Sequence, residues 1–522
     1  MSWCIFRARA SSLRRCKARA ALPAAALLGA LAVPGVHAEA PVIDPGKLPR
    51  LGTVDTRLQS YNIEMVEVTG GRFWKPYPRE GLAPPATGTD RFARREPIDL
   101  ANPRLRRLAA ALAPAYLRVS GTWANSTFVA EQDPPPAAPP AGFNGVLTRR
   151  QWQGVVAFSQ AVDAPIVTSF AISAGTRDAH GAWTPVVARR LIDNTRADGG
   201  AIAAAEFMNE PDLPDIGGAP PGYDAAAYAS DFATFRTLAR AAAPDMKILG
   251  PGTITDSPGA AALLAATASG VDIVSYHFYG TLSQRCQGTH TPEAALGEAW
   301  LSATGRAAAF YRDLRDRYAP GKPIWLTETA DAACGGSPWG KTFLDTFRYL
   351  DQLGQLAAAG VQVVMHNTLA ASDYGLLDET TFAPRPNYWA ALLWRRLLGS
   401  TVLGIQVGVQ VGIHVPTESG LHVYAHCARG APGGVTLLVI NPDRVTSHSL
   451  TLVGASQRYT LDAATLQAAT VRLNGSALAL GADDALPALD AVATDAGPLA
   501  FAPASITFLV VPAAGNSVCR GG

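Results

Sequence analysis

Two glutamates have settings that suit bond-breaking chemistry. Ala205-Glu206-Phe207-Met208-Asn209-Glu210-Pro211 and Pro323-Ile324-Trp325-Leu326-Thr327-Glu328-Thr329 are short apolar runs, each ending in a carboxylate. An apolar run broken at once by polar residues reads as a buried strand whose last side chain emerges into a cleft. Two such carboxyls are what glycosidic bond cleavage needs: one protonates the leaving oxygen, and the other attacks the anomeric carbon or activates water. Glu210 suits the acid/base role and Glu328 the ionised nucleophile. Asn209, beside the acid, can hydrogen-bond the sugar 2-hydroxyl, and Pro211 ends the strand. In Tyr276-His277-Phe278-Tyr279 the Tyr279 phenol could orient Glu328. Taken singly, each motif has a plainer reading: a helix-capping loop, a strand-end salt bridge, a buried tyrosine. The pairing of the two glutamates favours catalysis.

The elements that must hold these groups follow from the same patterning. Strand-like runs fall at 61–68, 116–120, 165–172, 204–208, 246–250, 271–276, 323–326 and 361–365. Helix-like Ala- and Leu-rich stretches lie between them at 104–113, 151–162, 225–242, 259–269, 298–318 and 342–359. Eight strands with helices in most gaps predict a (β/α)8 TIM barrel over residues 60–400. An open doubly wound sheet lacks support, because no Gly-rich phosphate turn follows the first strand. Glu210 then follows the fourth strand and Glu328 the seventh, at the end of the barrel where active sites form. The Pro-rich stretch 131–145 after the second strand reads either as a stiff cleft wall or as a passive surface loop.

Beyond residue 400 short β-type runs separated by Gly, Pro, Asn or Asp (409–415, 421–426, 435–440, 449–453, 470–473 and 505–511) predict an antiparallel β-sandwich over 401–522. Residues 39–59 are expected to pair with it. Residues 1–38 read as an export signal: six basic residues, an apolar stretch, then Val36-His37-Ala38. The alternative is an uncleaved anchor. Without that segment the 44 basic residues fall by six to 38, against 42 acidic, a net charge of −4. Nothing in that balance points to nucleic acid or a membrane surface.

Six cysteines occur, and Cys286, Cys334, Cys427 and Cys519 lie beyond the signal. Pairing within each predicted domain gives Cys286 with Cys334 and Cys427 with Cys519, out of three possible connectivities. The chain has no Gly-x-Ser-x-Gly elbow and no P-loop. His422 and His426, with Cys427 adjacent, could suggest a metal, but along a strand they read as one face of a sheet. No metal and no cofactor are expected.

At these residues the chain resembles the heparanase and β-glucuronidase family, glycoside hydrolase family 79. Leu112-Ala113-Pro114-Ala115-Tyr116-Leu117-Arg118-Val119-Ser120-Gly121-Thr122 is similar to the family's second-strand signature, with Ser120 where animal heparanases have Gly. Asn209-Glu210-Pro211 resembles the acid/base motif, and Trp325-Leu326-Thr327-Glu328-Thr329 with Gly335-Gly336 the nucleophile region. Asp373-Tyr374-Gly375-Leu376-Leu377-Asp378 and Pro386-Asn387-Tyr388-Trp389 resemble the segment after the eighth strand. The resemblance implies a retaining mechanism and a uronic acid held by the Gly335 and Gly336 backbone N–H groups and by Tyr374. Backbone donors need no lysine or arginine, which suits a chain of net charge −4. The long segment excised from animal heparanases is missing; only 131–145 occupies that region, which implies activity without processing.

The sequence therefore leads us to expect a secreted or periplasmic, monomeric retaining β-glucuronidase of the heparanase type. It would cleave glucuronic acid linkages in heparan sulfate or a related glycosaminoglycan, with endo action favoured. Exo release of terminal glucuronic acid is the alternative, and an inactive carbohydrate-binding barrel is the alternative of another class.

Overall fold

Eight parallel strands close into a barrel in the computed structural model, which describes residues 41–78, 91–407, 410–411 and 420–520. In chain order they are β1 (Gln59–Glu64), β2 (Leu117–Ser120), β3 (Ile166–Thr168), β4 (Ile202–Glu206), β5 (Lys247–Thr253), β6 (Ile273–Tyr279), β7 (Ile324–Ala330) and β8 (Val363–His366). Each pairs with the next, and β8 returns to β1. Helices Pro103–Ala111, Arg149–Ala161, Val186–Ala197, Ala225–Ala242, Pro258–Thr267, Ala303–Tyr318, Phe343–Ala358 and Pro386–Leu397 follow the strands in turn. Local chemistry marks their starts. Asp224 accepts from the N–H groups of Ala226 and Ala227, and Thr148 and Gln151 form a reciprocal capping box.

The period of two along each strand stacks the lumen in layers. Near its floor Val167, Ala204, Leu249, Ile273, Trp325, Val363 and Met365 form a dry cluster, with Tyr116 tilted against Trp325 at 4.9 Å. Two residues on from Ala204, Ile273, Trp325 and Met365 come Glu206, Ser275, Thr327 and Asn367, which are polar. The barrel is thus plugged by apolar groups below and lined by hydrogen-bonding groups above.

A nine-stranded sheet follows the barrel. Its central run is Leu398–Leu403, His422–Ala428, Val435–Asn441, Ser505–Val511 and Ser456–Asp462. Val435–Asn441 is buried along its whole length because both faces are covered. Leu438 and Ile440 join the core shared with the barrel helices. Leu437 and Val439 join a second core with Ile43, Leu450, Leu452, Leu499 and Phe501 of a three-stranded sheet. The early strands belong here too: Val42–Ile43 pairs with His448–Leu452, and Arg50–Thr53 with Leu398–Leu403. Asn516 Nδ2 closes the same corner by donating to the carbonyls of Pro45 and Leu48 at 2.8 and 3.0 Å. The disulfides are Cys286–Cys334 and Cys427–Cys519, the pairing expected from the sequence. His426, flanking Cys427, donates its Nδ1–H to Gly399 O at 2.8 Å, and His422 Nδ1 pairs with Asp351 Oδ1 at 2.8 Å.

Three sequence expectations change. The run 61–68 is not one strand: β1 stops at Glu64, and Met65–Thr69 is a short helix. Glu67 accepts from the Glu64 N–H at 2.9 Å, a capping box hidden among apolar β-formers. The seventh strand runs on to Ala330, so Glu328 lies within it. The helical stretch at 298–318 is two helices, Glu298–Leu301 and Ala303–Tyr318. The export segment and most of 409–415 lie outside the described residues, and 131–145 is a largely exposed connection between Thr127–Val129 and Gly145–Leu147. Among the described residues no helix is long and apolar enough to cross a membrane.

Helix Phe343–Ala358 is wedged between barrel and sheet, and Gly354 makes room for it: a Cβ there would run into the Tyr424 ring. Gly354→Ala should therefore lower the thermal unfolding midpoint. Overpacking of about 1–3 kcal/mol outweighs the gain in helix propensity of about 1 kcal/mol. An unchanged or raised midpoint in a thermal melt would contradict this contact.

Candidate active site

Arg118 leaves β2 into the lumen, where its side chain is only 1% exposed. Nε and Nη2 donate to Glu206 Oε2 at 3.2 and 2.9 Å, and Nη1 donates to Glu328 Oε2 at 2.8 Å. Nη2 also donates to Asn209 Oδ1 at 2.8 Å. The other Glu206 oxygen accepts from Ser275 Oγ at 2.9 Å and Thr327 Oγ1 at 2.6 Å. Burial works against the Glu206 charge, but Arg118, with His277 and Thr327, outweighs it and holds the carboxyl well below the usual range.

Register explains how two consecutive residues both reach this cluster. Pairing between β6 and β7 shifts between Tyr276 and His277, opposite Leu326 and Glu328. The irregularity turns Thr327 and Glu328 both inward, where a regular strand would send one outward.

Glu210 lies four residues past β4 in a left-handed backbone conformation, φ 49°. That conformation is uncommon for a residue with a side chain, and it persists where the surroundings fix it. They do so here: Asn209 N–H donates to Asn125 Oδ1, and Asn125 Nδ2 donates to Asn209 O, both at 2.9 Å. Phe207 anchors the turn beneath, packed at 5.0 Å on Trp183 and 5.4 Å on Phe235.

His277 Nδ1 faces Glu210 Oε1 at 3.1 Å. Its Nε2 is 3.1 Å from Arg118 Nη2, but both Nη2 hydrogens are already taken by Glu206 and Asn209. Burial and the neighbouring Arg118 charge disfavour a protonated ring, yet Glu328, Glu206 and Glu210 push the imidazole up to about 10. Burial raises Glu210, with the Glu328 charge adding to it, against the pull of His277. One oxygen from each glutamate and one His277 nitrogen all lie within 4.8 Å of one another. The Arg118 guanidinium on Glu328 already supplies the positive charge that a metal ion would bring, so this donor set does not suit a cation.

Tyr279 OH donates to Glu328 Oε1 at 2.8 Å, so both oxygens of Glu328 accept a hydrogen bond. Asn367 Nδ2 reaches Tyr279 OH at 2.9 Å, Glu64 Oε1 at 3.0 Å and Tyr374 OH at 3.4 Å. Burial and then the Glu328 charge raise Glu64 well above the usual carboxyl range. The turn at Gly335 and Gly336, each at φ 87°, packs directly on Tyr374: a Cβ on Gly336 would lie 2.9 Å from Tyr374 N. Gly336 N–H is donated to Ala332 O at 3.1 Å. Gly335 N–H finds no acceptor among the described residues, so of the two amides Gly335's is the one left to a ligand.

Asn209, Glu210, Tyr279 and Glu328 are thus brought into one hydrogen-bonded cluster. Tyr374 joins it through Asn367, and Gly336 packs against Tyr374. Sequence reasoning missed Arg118, Glu206, His277, Asn125 and Asn367. A signal for the first was present: an arginine between Leu117 and Val119 in a four-residue buried strand requires a buried carboxylate.

The family model described as glycosyl hydrolase family 79, N-terminal domain, matches residues 97–354. Heparanase-like protein 1 of Arabidopsis thaliana is 27% identical over 433 residues, covering 72% of this chain and 77% of its own length. Baicalin-beta-D-glucuronidase of Scutellaria baicalensis is 34% identical over 197 residues, 36% of each chain. Heparanase of Mus musculus is 36% identical over 216 residues, 38% of this chain and 39% of its own. Among solved structures, an alpha-L-arabinofuranosidase from Thermotoga maritima superposes with a TM-score of 0.62 at 14% identity, covering 90% of this chain and 99% of that one. A 4-O-alpha-L-rhamnosyl-beta-D-glucuronidase from Fusarium oxysporum 12S gives 0.59 at 13%, covering 91% and 99%. At those identities the structural likeness speaks for the fold: a TIM barrel carrying a β-domain.

The His277 environment has a pH signature. Its folded pKa lies above the ordinary 6.5, so its stabilisation is complete below pH 6.5 and is lost as pH rises through about 10. The stability difference between wild type and His277→Gln should shrink over that window by on the order of 1–4 kcal/mol. Denaturant unfolding at the two ends measures it, and a difference independent of pH would rule out the charged ring.

Proposed function

The chain belongs to glycosyl hydrolase family 79, the heparanase and β-glucuronidase family, and we propose that it is a retaining β-glucuronidase of the heparanase type. The observation that carries this reading is the Glu210–Glu328 pair, one oxygen of each lying within 4.8 Å of one of the other, close enough to leave no room for an intervening nucleophilic water. Retaining glycosidases hold their carboxyls about 5–5.5 Å apart, whereas inverting enzymes leave about 6.5–9.5 Å for a water. The Scutellaria and mouse relatives, a glucuronidase and a heparanase, support a glucuronic acid substrate.

In the first step Glu328 Oε attacks the anomeric carbon while Glu210 gives its proton to the departing glycosidic oxygen, leaving a glycosyl ester on Glu328. In the second step Glu210, now a carboxylate, takes a proton from water. The water oxygen attacks the same carbon, and Glu328 is released. Arg118 and Tyr279 fix both Glu328 oxygens and take up the charge that returns to them. Burial, which raises Glu210, favours the protonated form that the first step uses. Asn209, turned by Asn125, meets the sugar 2-hydroxyl; the Gly335 N–H and Tyr374 hydroxyl hold the glycone carboxylate. Two disulfides support export to an oxidising compartment, secreted or periplasmic. Heparan sulfate or a related glycosaminoglycan, cut internally, is the substrate we favour.

Glu328→Gly should lose on the order of 10³-fold or more in kcat on an aryl β-glucuronide. Added azide should then yield the α-glucuronosyl azide, seen by proton NMR. A β-azide, or undiminished turnover by the variant, would refute the nucleophile. Size profiling of digested heparan sulfate separates the modes of attack: rapid shortening means endo action, whereas free glucuronic acid from unshortened chains means exo.

A further inference from the structure

A second polar cluster, separate from the glutamates, is built around the Gly335-Gly336 turn. Asp373 is fully buried and ion-paired to Arg285 Nη2. It also accepts from Lys341 Nζ at 2.8 Å and from the Tyr77 N–H at 2.9 Å. The Arg285 guanidinium lies 4.1 Å from the centre of the Tyr77 ring, and its Nη1 donates to Cys334 O and Ser372 Oγ, each at 3.1 Å. Tyr77 OH in turn accepts from the Arg285 N–H at 2.7 Å, and Lys341 Nζ also donates to Tyr77 O at 2.9 Å. Four connections that follow β1, β6, β7 and β8 are thereby tied together.

Two residues of this cluster, Ser372 and Asp373, meet at one carbonyl. Gly335 O accepts from Ser372 Oγ at 2.9 Å and from the Asp373 N–H at 3.0 Å. The Cys286–Cys334 bond fixes the residue before Gly335 to the residue after Arg285. Ala333 is bridged to the same connection, its N–H donating to Thr281 O at 3.0 Å and its carbonyl accepting from the Ser283 N–H at 2.9 Å. A side chain at Gly335 would collide with Arg285, Trp74 and Ser372, so the turn has no slack. Tyr374 follows Asp373 directly in sequence. A buried ion pair with a second cation, an aromatic lid and a covalent bond is far more than an ordinary surface turn requires.

We infer that Arg285, Asp373, Lys341 and the Cys286–Cys334 bond are positioning residues that hold the Gly335 N–H and the Tyr374 hydroxyl at a fixed separation. That separation sets the preference for a carboxylated glycone over a neutral one. The inference rests on the reading that these two groups receive the glycone carboxylate. The cluster touches neither Glu210 nor Glu328, so loosening it should weaken binding of the carboxylate and spare the bond-breaking step. A contact present equally in ground and transition states shows in KM, not in kcat.

The test compares kcat and KM for an aryl β-glucuronide and the matching aryl β-glucoside in the full chain. The variants are Lys341→Met, Asp373→Asn, Lys341→Arg and the double variant Cys286→Ser with Cys334→Ser. Lys341→Met and the double cysteine variant should raise KM for the glucuronide by on the order of tenfold, with kcat within about twofold. The glucuronide-to-glucoside ratio of kcat/KM should fall by the same factor, and Lys341→Arg should restore it. Lys341 reaches the surface, so its variants test the cluster even if Asp373→Asn does not fold. Equal losses on both substrates, or a loss confined to kcat, would overturn the positioning role. Wild type that cleaves the two substrates equally well would instead overturn the carboxylate reading on which the inference rests.

Discussion

One buried guanidinium governs the interior of the barrel. Arg118 engages Glu206 through one edge and Glu328 through another, and reaches Asn209 beside the acid. Charges this deep are tolerated only when geometry is good and remaining valences are filled. Both conditions hold, because Ser275 and Thr327 complete Glu206 and Tyr279 completes Glu328. A lysine could not replace it, since the arrangement uses a planar fork with separate edges for two carboxylates. The division of labour follows. Glu206, saturated with donors, is ballast for the arginine, while Glu328 accepts one hydrogen bond at each oxygen.

The barrel was largely legible from local pattern. Runs such as Ile202–Glu206 and Ile324–Ala330 advertise themselves by apolar length, and glutamates that interrupt such runs advertise a cleft. Partners of charge were not legible. Arg118 meets Glu206 across 88 positions and His277 across 159, and only closure of the barrel brings them together. The Met65–Thr69 helix escaped because Val66 and Val68 look like strand residues; its cap, Glu64 with Glu67, works through side-chain reach instead of hydrophobic period. Ser456–Asp462 escaped for the opposite reason: it is a polar strand held in place by Ser505–Val511 rather than by its own composition.

Irregular backbone carries as much of the site as regular backbone does. The shifted register of β6 and β7 admits Thr327 and Glu328 to the lumen together. The left-handed Glu210, braced by Asn125, turns the other carboxyl back over the barrel mouth. A strictly regular barrel would deliver one carboxyl per strand end, at spacings fixed by the strands. These two departures bring the pair to within 4.8 Å.

The corner where Val42–Ile43 and Arg50–Thr53 meet strands from beyond residue 397, with Asn516 locking onto Pro45 and Leu48, fixes an order of events. As the chain emerges from the ribosome its first strands have nothing to pair with until more than three hundred further residues have been made. Contacts of such sequence separation form late and slowly. The barrel can therefore begin to assemble while both sheets beside it remain unfinished. Final closure of the molecule waits for its last strands, whichever side of a membrane they reach.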